Sequence, residues 1–82
     1  MDSERIRIRE IIQNAAGDLY NSIADEDLKW LVGSIISLNE EYVINNPDTI
    51  GAQEILENGF TDNQKTWIIN LKKKLNGMKK EK

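Results

Sequence analysis

Apolar residues recur along this chain at helical spacing, in four blocks divided by short polar punctuation. In the first block Ile8, Ile11, Ile12, Ala15 and Leu19 share one face, although Arg5-Ile6-Arg7-Ile8-Arg9 taken alone alternates like a strand. Ser3 is a good N-cap type and Gly17-Asp18 a natural stop, which predicts a helix over residues 4–16. The second block is the clearest. Asp25 caps it, Glu26 and Asp27 put acids in the first turn, and Leu28, Leu31, Val32, Ile35, Leu38, Tyr42 and Val43 follow the helical period. With Ile36 the apolar arc is about 160° wide at about 100° per residue, enough to touch more than one neighbour. Asn45-Asn46-Pro47 ends it, giving a helix over 26–44.

The third block is short. Asn46 as cap and Pro47 as first helical residue open it, Ile50, Ile55 and Leu56 are its apolar share, and Gly59 closes it, which predicts 47–58. The fourth starts with the capping-box pattern Thr61-Asp62-Asn63-Gln64. Ile68, Leu71, Leu75 and Met78 form its stripe, Trp67 borders that stripe as a core residue, and Gly77 ends a helix over 62–76. Residues 77–82 read as a frayed basic tail. The expected fold is therefore all-α: residues 1–82 as a single domain, a compact four-helix bundle.

Charge changes this picture more than composition does. The net charge of −3 conceals a strong asymmetry. Residues 1–10 are balanced, residues 11–62 sum to −9 with Lys29 as their one base, and residues 63–82 sum to +6. No signal peptide or membrane-spanning run is visible, so a cytoplasmic location is expected. The apolar share of 39% is ordinary for a folded domain of this size.

The residue inventory argues against catalysis. The chain has no histidine and no cysteine, which removes the commonest general base and the usual zinc and iron–sulfur ligands. Its five glycines are scattered singly and build no phosphate-cradling loop. Asp25-Glu26-Asp27 lacks the spacing and central glycine of a calcium loop and suits a helix start instead. The expectation is a protein that is no enzyme, holds no metal or cofactor, and acts by binding.

The fourth helix carries the most informative surface. Projected about its axis, Lys65, Lys72 and Lys79 form a stripe with Lys73 and Lys80 beside it, opposite the apolar face. Such a ridge suits phosphate contacts, and lysines at a helix C-terminus also complement the dipole. Ile69 points into the same face, which fits a contact surface better than plain solvation. On the second helix Trp30 lies opposite the apolar arc among acids and serines. If bare, it is either a stacking platform or a protein-contact anchor. Arg5, Arg7 and Arg9 are interleaved with Glu4 and Glu10 and read as a solvated face. A helix-turn-helix centred on Gly59 fails, because it would bury Lys65 and present an acidic first helix.

Two stretches resemble HRDC domains, the small helical modules at the C-termini of RecQ-type helicases and ribonuclease D. Ile23-Ala24-Asp25-Glu26-Asp27-Leu28 is similar to their "I-x-D-x-x-L" helix opening. Pro47-Asp48-Thr49, Ile55-Leu56, Gly59-Phe60, Lys65 and Trp67 are similar to their later pattern. The chain departs from it in the long separation of Asp25 from Pro47 and in the large Ile68-Ile69 after the aromatic. The size and the Asn/Ile/Lys-rich texture also resemble small phage proteins that accompany recombination helicases of T-even phages. The resemblance implies auxiliary binding to single-stranded or branched DNA beside a helicase or another recombination protein. The resemblance carries over no contact residue; the charge projection alone makes Lys65, Lys72, Lys73 and Lys79 the expected nucleic-acid contacts. The alternative is a protein-interaction or inhibitor domain that docks through its acidic body, with Trp30 and Ile69 as partner contacts. A structural homodimer is a third reading.

Overall fold

The computed structural model describes the backbone of residues 2–80 and the side chains of residues 3–78. It is all-α, a bundle of four helices: α1 (Asp2–Asn21), α2 (Glu26–Asn45), α3 (Ile50–Asn58) and α4 (Asp62–Lys80). α1, α2 and α3 pack against one another and α4 joins them more sparsely, with Ile68 as its buried anchor, in a body 48 × 23 × 17 Å across. The shared core is Ile12 and Ala16 of α1, Val32, Ile36 and Val43 of α2, Ala52 and Ile55 of α3, Phe60 from the turn and Ile68 of α4. Ile23 and Leu28 close the end nearest the α1–α2 connection. Each fully buried side chain of this size contributes about 1.5–3 kcal/mol, so Phe60, Ile12 and Ile68 are principal contributors.

Two helix starts follow their sequence signals. Asp25 accepts from the Leu28 amide at 3.0 Å. Thr61 and Gln64 form the capping box, the Gln64 amide donating to Thr61 Oγ1 at 3.2 Å and the Thr61 amide to Gln64 Oε1 at 2.9 Å.

Four boundaries or faces differ from expectation. α1 does not stop at Gly17-Asp18 but continues to Asn21. A helical glycine costs about 1 kcal/mol, and here burial of Ala16 on one side and partial burial of Leu19 and Tyr20 on the other outweighs it. α3 starts three residues late, because Asn46-Pro47-Asp48-Thr49 form a turn. Thr49, not Asn46, is the N-cap: its Oγ1 accepts from the Ala52 amide at 3.1 Å and donates to the Asn46 carbonyl at 2.8 Å. Asn46 instead closes α2, its amide donating to the Tyr42 carbonyl at 2.8 Å. Ile50 consequently sits on the first turn in solvent, and Ala52 takes the core position. On α2 the buried face centres on Val32, Ile36 and Val43, which leaves Leu38 and much of Tyr42 outside. α4 passes Gly77 and remains helical to Lys80, with Met78 exposed; residues 81–82 lie outside the described part.

The turn between α3 and α4 fixes how α4 meets the rest. Gly59 has φ +80°, and a Cβ there would fall 2.6–2.9 Å from the Cβ, N and Cα of Ala16. Its carbonyl accepts from Asn39 Nδ2 at 3.2 Å, and Asn39 also exchanges amide hydrogen bonds of 2.9 and 3.0 Å with Gln64. One buried asparagine of α2 thus holds both the turn and the first turn of α4. Gly59→Ala should therefore destabilise the protein by about 2–5 kcal/mol, from left-handed backbone strain plus overpacking. Gly77→Ala, in open space on α4, should raise stability by about 0.5–1 kcal/mol. Urea titration of the two variants checks both signs.

Candidate binding surfaces

The lysines expected as a ridge on α4 are exposed to differing degrees, and Lys74, outside that stripe, is turned about 180° from Lys65 at about 100° per residue. Lys73 and Lys74 are exposed and Lys65 is half-buried. Lys72 is tethered: its Nζ donates to the Ser22 carbonyl at 3.1 Å and to Ser22 Oγ at 3.3 Å, pinning α4 to the end of α1. An ammonium has three donors, so one remains for another acceptor. The Lys79 side chain lies outside the described residues. Among the described residues none of Lys65, Lys72, Lys73 and Lys74 forms an ion pair. Ile69, at the edge of this face, is 41% exposed. Trp67 is also about half exposed, so only part of its ring belongs to the core.

Two of the three arginines of α1 have a different role from the solvated face expected of them, while Arg7 is exposed as expected. Arg5 and Arg9, one turn apart, reach across to α2 and hold Glu40 at 3.4 Å each, and Arg5 also bonds Glu41. The Glu40 side chain keeps only 5% of its surface. The hydrogen bond that Arg5 donates to Glu41, and then the Glu41 charge, push the Arg5 guanidinium above its ordinary range. The i, i+4 spacing of the arginines was visible in the sequence. Their acidic partner more than 30 residues away was not.

Trp30 is bare, 74% exposed. It stands beside a groove between α1 and α2 that sequence reasoning missed. A cavity of about 510 Å³ opens between Gln13, Asn14, Gly17 and Asn21 on one side and Gly33 on the other. A shallower shelf of about 310 Å³ continues over Lys29, Trp30 and Ser34. Arg9, Tyr20 and Gly33 border both. Lys29 Nζ sits 5.0 Å from the centre of the Tyr20 ring, a cation–π contact that holds both at the mouth. Neither Gly17 nor Gly33 has any other group within 4 Å of where a Cβ would stand. Two helix-interior glycines thus face the groove with no packing reason to be glycine.

Among the described residues no group of three or more acids is placed to hold a metal ion, and no helix is long and apolar enough to cross a membrane. The ion-pair cluster yields a test. Arg5→Ala with Arg9→Ala strands a buried carboxylate and should lower Tm by several degrees, because an uncompensated buried charge is costly. Adding Glu40→Gln should recover most of that loss in the same thermal melts.

Compared with protein-family models, with curated proteins and with solved structures, the chain matches none.

Proposed function

We propose that this chain is a non-catalytic module that binds single-stranded or branched nucleic acid, in replication, recombination or repair beside a helicase. The observation that carries this reading is the state of its cations. Arg5 and Arg9 are neutralised by Glu40 and Glu41, whereas the lysines described on α4 have no acidic partner among the described residues. Ammonium groups with no acidic partner among the described residues suit a polyanion, whose counterions they displace. The HRDC resemblance supports the same class of ligand. The acidic body, in a chain with a pI near 4.9, makes α4 the main approach for phosphates.

The expected binding is modest and salt-dependent. Three or four lysine–phosphate contacts on a single strand give a log–log salt slope of about −2 to −3. That is a loss of about 15–50-fold between 50 and 200 mM salt. Anisotropy of labelled single-stranded, duplex and forked oligonucleotides measures it. Lys73→Glu with Lys74→Glu, both exposed, should weaken binding at least about tenfold at low salt without changing Tm. Unchanged affinity in that variant would sink the proposal.

A second reading is favoured by the exposed apolar side chains of the acidic body. Trp30, Leu38 and Ile50 are 74%, 68% and 89% exposed, and such residues serve as anchors for a protein partner. The same lysine reversal would leave that mode of binding intact.

A further inference from the structure

We propose that the α1–α2 groove beside Trp30 is a pocket for one unstacked nucleobase of the strand whose phosphates lie on α4. The proposal rests on the nucleic-acid reading above and assigns a second, separate contact to it.

The lining chemistry selects the occupant. Gln13, Asn14 and Asn21 each bring an amide that both donates and accepts, as the edges of bases require. Asp18 also borders the space. Its carboxylate repels a phosphate but accepts from an exocyclic amino group or a ring N–H. Ile36 is the one large aliphatic residue among the lining residues of the deeper cavity, so the groove is poorly suited to the apolar anchor of a protein partner. A flat, neutral, hydrogen-bonding ring satisfies both conditions.

The shape agrees. Gly17 and Gly33 leave open space above helical backbone, where an alanine would fit without touching any neighbour. Retaining glycine in a helix interior costs about 1 kcal/mol each, and a planar ligand close to the backbone gives that cost a reason. At the mouth, Trp30 offers a bare face for stacking, and Tyr20 is held by Lys29.

The two contacts are also joined in space. Asn21 and Tyr20 line the groove, and the next residue, Ser22, is the one that Lys72 grips. A strand following the α4 lysines therefore reaches the groove mouth at the α1–α2 connection. Lys29 stands there with its positive charge beside the Tyr20 ring.

The test uses the full chain carrying Trp67→Phe, so that Trp30 is the sole tryptophan. Single-stranded oligonucleotides are compared with an abasic strand of the same length and charge, by anisotropy and by tryptophan fluorescence. Base-bearing strands should quench Trp30 and bind about tenfold more tightly than the abasic strand, as one stacking contact gives. Trp30→Ala should remove that difference. So should Gly33→Leu, whose Cβ would meet no other group within 4 Å and whose side chain would extend into the groove; its Tm is checked in parallel. Equal binding of the base-bearing and abasic strands with no quenching overturns the pocket while leaving the α4 reading intact. A difference that survives Gly33→Leu also overturns the pocket. Absence of binding to any strand at low salt overturns both.

Discussion

The approach of Gly59 to Ala16 is the contact on which the arrangement of α4 depends. Backbone meets helix there with no room for a Cβ, and the left-handed φ of +80° turns the chain out of α3 within two residues. That turn buries Phe60 completely and delivers Thr61 as a cap. Asn39 then binds the Gly59 carbonyl and the Gln64 side chain together. The capping box and the buried amide pair are a single network, since Gln64 belongs to both. Such a network specifies one geometry, because every alternative leaves a buried amide unpaired. Through it the direction of α4, and with it the placing of the α4 lysines, is inherited from the glycine of the α3–α4 turn.

Local rules were legible wherever the competing forces were local. Asp25 and the Thr61/Gln64 box cap α2 and α4 from side chains within three residues, so spacing alone located them. The end of α1 was not legible, because Gly17 is outvoted by packing of residues on either side of it. The start of α3 turned on a competition between two good caps, Asn46 and Thr49, that sequence spacing does not decide. Similarly, the wide apolar arc of α2 was real as a pattern. Which part of it is buried depended on where α1 and α3 lie, and this left Leu38 outside.

The site was legible by charge and opaque by contact. Residues 63–82 announced a basic helix, and the lysines described on it are indeed unpaired among the described residues. What the sequence could not show was the division of labour among the cations. Arg5 and Arg9 are spent on Glu40, joining α1 to α2, and Lys72 is spent largely on Ser22, joining α4 to α1. These three cations therefore serve cohesion, while Lys73 and Lys74 are exposed and have no acidic partner among the described residues. A count of basic residues treats all of these alike. Their partners separate them.

The two glycines of the α1–α2 groove invert the logic of Gly59. At Gly59 the missing side chain is required by strain and by Ala16, so the residue explains itself within the chain. At Gly17 and Gly33 nothing in the chain occupies the vacated space, and each weakens its helix by about 1 kcal/mol relative to alanine. For a domain near the lower size limit for unaided folding, that is a substantial share of a total stability of about 5–15 kcal/mol. Local inconsistency of this kind tends to gather where a protein meets a ligand. Both glycines border one groove, next to the more exposed of the two tryptophans, so the inconsistency lies at a single surface.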